Sequence, residues 1–352
     1  MMKRSAKATN KKVGFAVVGL GSIAKSAVLP AFGNCRKARL VALVGRDAKQ
    51  TAQLARKFAV PFQYESMSYS DCLANPDVDA IYIATPQGEH EHLTIQAAKA
   101  GKHVLCEKPL AATVKQSAAM VEACRANHVL LMTAYRKYYE PATLYLKELI
   151  QSGKLGRIDV IHTAFSELHI PGISVPWLLN AKMAGGGPLM DLGVYCVNTS
   201  RWLVQEDPTE VTAQSWVRDS ANTRFTEVEE GISFRLRFPS GLIVQVSSTY
   251  SAAPSSFIFV QGSKGWASLS PAFPFDEERH LVQKIGKRQT SRSFKVIDEF
   301  APEIDAFASS IQTGVPVAAD GIQGHRDMII INAIYRAAKR NKAIAIRYES
   351  DN

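Results

Sequence analysis

An apolar run, Val13–Val18, passes directly into Gly19-Leu20-Gly21-Ser22-Ile23-Ala24, and a helical pattern over Ile23–Phe32 follows. No other feature limits the fold as much. A short strand without polar alternation is one covered on both faces, as in a parallel sheet flanked by helices. A GxGxxA turn between such a strand and a helix has a physical purpose at each position. Gly19 permits the tight turn, Gly21 lets backbone approach a pyrophosphate, and Ala24 lets helix and strand pack closely. The N–H groups of Ser22 and Ile23 then open a helix whose free donors and dipole favour phosphate. The turn therefore predicts a dinucleotide site at the carboxyl edge of an open sheet.

The next hundred residues keep the same rhythm. Strands are predicted at Arg39–Val44, Ala80–Ala84, His103–Cys106 and Val129–Thr133. Helices fall between them at Asp47–Phe58, with Asp47 as N-cap, His90–Ala100 and Val114–Asn127. Such alternation implies right-handed crossovers and a doubly wound sheet. After Tyr135 the pattern changes. A helix at Pro141–Ser152 leads to alternating strands at Ile158–Ser166, Glu210–Val217, Ile232–Phe238 and Leu242–Ser248, the last two joined by a Pro239-Ser240-Gly241 turn. Strands at Ser256–Val260 and Trp266–Leu269, helices at Ile304–Thr313 and Gln323–Arg340 and a strand at Ala343–Arg347 complete the reading. The expected fold is α/β. Residues 1–12 form a basic disordered tail, 13–134 an N-terminal Rossmann dinucleotide-binding domain, and 135–352 a C-terminal α+β domain. The last carries a large, mostly antiparallel open sheet for substrate binding and oligomerisation.

Composition removes other classes. With 46% apolar and 21% charged residues the 352-residue chain is globular. No apolar run nears the roughly 18–20 residues that span a bilayer, and no apolar segment follows the basic N-terminus as in a secretory signal. The five scattered cysteines show no CxxC spacing, so free thiols and a cytoplasmic setting are expected. Of the net charge of +10, five cations lie in the first twelve residues. No basic stripe interleaves with aromatics, so no nucleic-acid or membrane partner is expected. His90-Glu91-His92 does not point to a metal, because residues two apart on a helix face different sides.

Two further stretches carry chemistry. The second strand ends Val44-Gly45-Arg46-Asp47, where NAD-binding chains place an acid for the ribose hydroxyls. Gly45 leaves room and Arg46 offers a forked cation to a 2′-phosphate, which favours NADP over NAD. Glu107-Lys108-Pro109 follows the strand His103–Cys106 at the ligand-binding edge. Proline holds Lys108 extended, and Glu107 is placed to hold the lysine or the nicotinamide end of the cofactor. Taken alone, these three residues also fit an ordinary turn. Asp191 and Tyr195, four apart behind Gly185-Gly186-Gly187-Pro188, share a helix face, and each equally fits a structural role.

Thr85-Pro86 with His90, the run Ala100–Pro109 and the triple-glycine stretch with Asp191 and Tyr195 resemble the Gfo/Idh/MocA oxidoreductases, closest to the glucose–fructose oxidoreductase branch. The resemblance covers the chain from Lys12 onward. It implies that Tyr195 is the acid/base, with Lys108 and Asp191 beside the substrate. Thr85, Pro86, His90, Glu107, Arg136 and Trp177 would touch the cofactor, and Tyr139, His169 and Tyr250 would line the substrate pocket. Where the family often has Trp-Arg, this chain has Trp177-Leu178, which implies a looser hold on NADP. The favoured function is NADP-dependent aldose oxidoreduction, with hydride moving between a pyranose C1 or a polyol carbon and nicotinamide. Ping-pong exchange on tightly held NADP(H) belongs to that reading. The alternatives are a conventional sugar, inositol or dihydrodiol dehydrogenase, and a non-catalytic sugar-sensing regulator. A homodimer or homotetramer through the C-terminal sheet is also implied.

Overall fold

The computed structural model describes residues 11–168, 176–218 and 224–348. The first domain holds six parallel strands: β1 (Val13–Val18), β2 (Ala38–Gly45), β3 (Phe62–Glu65), β4 (Ala80–Ile83), β5 (His103–Glu107) and β6 (Leu131–Ala134). They run in the order β3-β2-β1-β4-β5-β6. The strand order reverses between β1 and β4, and a crevice opens at their carboxyl ends. Phe15 and Val17 enter one apolar layer while Ala16 and Val18 enter the other. Burial on both sides explains why β1 lacks polar alternation. The helices are α1 (residues 22–31, π-wound over Ala24–Val28), α2 (Ala48–Lys57), α3 (Tyr69–Ala74), α4 (His90–Lys99) and α5 (Val114–Ala126). Both β3 and α3 escaped the sequence reading. β3 is a largely exposed edge strand of only four residues, too short for its Phe62–Tyr64 alternation to stand out.

The second domain begins with α6 (Pro141–Gln151), capped by the Glu140 carboxylate on the Ala142 and Thr143 N–H groups. It builds a nine-stranded sheet on β7 (Ile158–Leu168). A short helix α7 (Ala181–Ala184) and α8 (Val194–Val204) precede β8 (Glu210–Trp216), β9 (Gly231–Arg237) and β10 (Ile243–Thr249). Then come β11 (Ser251–Gly262), β12 (Gly265–Ser270), β13 (Arg279–Ile285) and β14 (Arg288–Phe294). All described neighbours in this sheet are antiparallel except β10 and β7. Ile232, Phe234 and Leu236 of β9 turn inward while Arg235 and Arg237 turn out, so one face packs and one stays open. Helices α9 (Phe300–Thr313) and α10 (Gly321–Arg340) then return to the first domain. α9 packs on β1, β2 and β5, and α10 on β6 and α5, before β15 (Ile344–Ala345) closes on β8. Among the described residues no helix is long and apolar enough to cross a membrane.

Candidate active site

A cleft of about 1540 Å³ lies between the parallel sheet's carboxyl edge and the inner face of the large sheet. Gly19, Gly21, Ser22 and Ile23 line one end. Gly19 has φ +91°, and a Cβ there would fall 2.6 Å from the Ala84 carbonyl oxygen, so the turn requires glycine. A Cβ on Gly21 would meet nothing within 4 Å. That space, beside the first turn of α1, fits a pyrophosphate. Arg46 is exposed at the tip of β2 on the cleft wall, whereas the Asp47 carboxylate accepts from Gln50 N at 3.0 Å as the α2 N-cap. Gly45 lines the cleft, and packing also demands glycine there: a Cβ would lie 2.3 Å from Thr51 Oγ1 and 2.8 Å from Leu20.

The other end assembles residues that are remote in sequence. Lys108, just past β5, sends Nζ to the Asp191 backbone oxygen (2.7 Å) and to Asp191 Oδ1 (3.2 Å). The same ammonium lies 4.7 Å from the centroid of the Tyr195 ring. Tyr250 Oη donates to Asp191 Oδ2 at 3.0 Å, so both carboxylate oxygens are engaged and the aspartate fixes the lysine. Burial alone would depress the Lys108 ammonium, but Tyr195, Asp191 and Glu107 outweigh it and raise its pKa, keeping it charged. Asp191 lies in a π-wound turn, Leu189–Gly193, reached through the triple glycine. A Cβ on Gly186 would collide with Tyr335 Oη, and one on Gly187 with the Glu229 backbone. Glu229 accepts from the Gly187 and Leu189 N–H groups and from Tyr335 Oη, and so fixes the turn that presents Asp191.

Arg136 was expected on the cofactor. Its buried guanidinium lies on the cleft wall 5.1 Å from the Tyr195 ring centroid and donates to Glu299 and to the Phe273 carbonyl (2.6 Å). Arg279 grips the same glutamate from β13. Glu107 accepts from Tyr82 Oη (2.9 Å) and from the Lys108 N–H (3.2 Å), and burial raises its pKa. Thr85, Pro86, Glu107, Arg136 and Trp177 all line the cleft.

Three expected contacts are absent from the lining. His90 is buried, with Nδ1 against the Leu110 carbonyl (3.1 Å) and Nε2 against that of Thr85 (2.9 Å); it ties the two cleft loops together from beneath. Tyr139 packs against the core, and Tyr250 stands behind Asp191. His169 falls outside the described residues. No spacing pattern announced the roles of Glu229, Glu299 and Arg279, because the Gly187–Glu229, Arg136–Glu299 and Arg279–Glu299 bonds join positions 42, 163 and 20 apart.

A family model described as an oxidoreductase family with an NAD-binding Rossmann fold matches residues 13–135, and the GFO/IDH/MocA C-terminal domain matches 143–268. The chain belongs to the GFO/IDH/MocA family. This GFO/IDH/MocA protein is therefore an NAD(P)-dependent oxidoreductase acting on CH–OH groups. It is 30% identical to D-xylose 1-dehydrogenase [NADP(+)] of Haloarcula marismortui over 96% of this chain and 94% of that one. It is 27% identical to dTDP-3,4-didehydro-2,6-dideoxy-alpha-D-glucose 3-reductase of Saccharopolyspora spinosa over 89% and 92%. The crystal structure of aldose-aldose oxidoreductase from Caulobacter crescentus with glycerol superposes with a TM-score of 0.90 at 34% identity, over 95% of this chain and all of that one.

Proposed function

We propose that the protein is an NADP-dependent aldose oxidoreductase that acts at C1 of a pyranose. One observation carries this reading: Lys108, Asp191 and Tyr195 converge in the same cleft as the Gly19–Ile23 turn. The likeness to NADP-dependent xylose dehydrogenase and to aldose-aldose oxidoreductase supports the substrate class, and Arg46 beside an already engaged Asp47 supports NADP.

Gly21, the start of α1 and Arg46 would hold the pyrophosphate and the 2′-phosphate. NADP, when bound, accepts the hydride that leaves the sugar carbon. Tyr195 takes the proton of the hydroxyl under oxidation and returns it in the reverse direction. Lys108 and Arg136 place two positive charges against its ring, which offset the negative charge of the deprotonated phenol. Asp191 and Tyr250 hold the ammonium in place. The product of C1 oxidation is a lactone. A second copy of the chain covers the open face of the large sheet.

The test starts from protein purified without added cofactor and dialysed. Nicotinamide absorbance that survives indicates NADP(H) retained for ping-pong exchange between two aldoses; its loss indicates an ordinary dehydrogenase. Tyr195→Phe should then lower kcat about 10²–10⁴-fold with NADP affinity unchanged. Unaltered kcat with a native circular-dichroism spectrum refutes the role.

A further inference from the structure

The two ends of the cleft differ in charge. The nucleotide end offers a helix N-terminus and Arg46. At the other end the charged lining residues, among those described, are Glu107, Lys108, Arg136, Glu167, Asp191, Asp276 and Glu277. Two cations face five carboxylates. Lys108 is engaged by Asp191, and Arg136 by Glu299 and a carbonyl. Behind the wall Lys137 and Arg279 are buried against Glu140 and Glu299, so they present no ammonium or guanidinium to the cleft.

Glu167 sits near the carboxyl end of β7, two residues after the cleft-lining Phe165, on the same side of the strand. Burial and the negative charges of Asp191 and Asp276 raise its pKa, against the pull of Lys108. A carboxylate in such company accepts hydrogen bonds from sugar hydroxyls and repels a second anion.

We propose that Glu167, seconded by Asp276, sets the charge specificity of the site, so that it takes an uncharged sugar or one bearing an ammonium and rejects sugars carrying phosphate, carboxylate or a nucleotide. The inference rests on the reading that a sugar occupies this end. It goes further by dividing a family in which one relative is named for a dTDP-sugar.

The test compares D-glucose, D-glucosamine, D-glucuronate and glucose 6-phosphate with saturating NADP at neutral pH. The kcat/KM for the neutral and ammonium sugars should exceed that for either anion at least tenfold. Glu167→Gln should narrow the gap several-fold, chiefly by lowering KM for the two anions, and added salt should narrow it too. An anion used as well as glucose overturns the proposal, as does a gap unmoved in both Glu167→Gln and Asp276→Asn. If no sugar turns over, the aldose reading fails by itself. The charge rule is then read by titrating the same four compounds into NADPH-loaded protein and following tryptophan fluorescence. Weaker binding of the anions upholds it, and equal or tighter binding overturns it.

Discussion

At the scale of the residue, neighbouring side chains are kept for different tasks. Asp47 and Arg46 sit together at the end of β2, yet the carboxylate spends its acceptor on the α2 N-terminus while the guanidinium stays exposed on the cleft wall. The cap commits one of the two Asp47 oxygens, Oδ1, which favours the guanidinium as the group that meets the ribose end of the cofactor. A charge-assisted hydrogen bond contributes about 1.5–3 kcal/mol. Arg46→Ala should therefore raise the KM for NADP roughly 10- to 100-fold and leave that for NAD nearly unchanged. Steady-state kinetics with both cofactors measures this, and an equal effect on both would remove Arg46 from the 2′-phosphate. The spacing of four put Asp191 and Tyr195 on one helix face, and the family resemblance singled them out. Neither hinted that Tyr250 would stand behind Asp191, since that bond joins residues 59 apart.

At the scale of the element, the large sheet is open on one side but not uniformly polar there. On β9 the outward residues include Arg235 and Arg237. On β7, β11 and β12 they include the half-buried Val160, His162, Ala164, Phe257, Phe259 and Trp266, with Gln261 and Ser268 beside them. His162 opposes Phe259 in register, and the Phe259 and Trp266 rings lie 5.7 Å apart. A part-exposed, largely apolar patch on an open sheet face marks an association surface. Light scattering should therefore show a dimer or tetramer, and Phe259→Asp should shift it to a smaller species with the circular-dichroism spectrum retained. A native monomer would end this reading. The hairpin β13–β14 went unrecognised because Lys284, Arg288 and Arg292 interrupt its apolar alternation. Charge on an edge strand discourages pairing with other sheets, and it hides the strand from a search for hydrophobic period.

At the scale of the whole molecule, all five cysteines are free and buried. Burial pushes Cys35, Cys72, Cys124 and Cys196 from the ordinary 9.0 up to about 12. Between these values the unfolded chain sheds thiol protons that the folded chain keeps. Stability is thus unaffected by the thiols below pH 9 and falls as pH rises from 9 towards 12, by up to about 1.4 kcal/mol per pH unit for each thiol. The urea midpoint should be lower at pH 10.5 than at pH 8, and Cys72→Ala should reduce the difference. Identical pH dependence in that variant would show that Cys72 ionises as freely folded as unfolded.

The sequence by itself determined the elements whose chemistry is local. The Gly19–Ala24 turn works through the backbone freedom of adjacent residues, and the strand and helix periods follow from burial on one face or two. That made the parallel sheet, the Asp47 cap and the dinucleotide end of the cleft legible in advance. Tertiary structure decided what depends on distance in space: that His90 fastens loops from below, that Arg136 lies against the Tyr195 ring, and that Glu299 and Glu229 hold the walls. Such contacts join side chains whose separation along the chain is arbitrary. Only the folded packing, which assembles α9 and both sheets around one crevice, selects them.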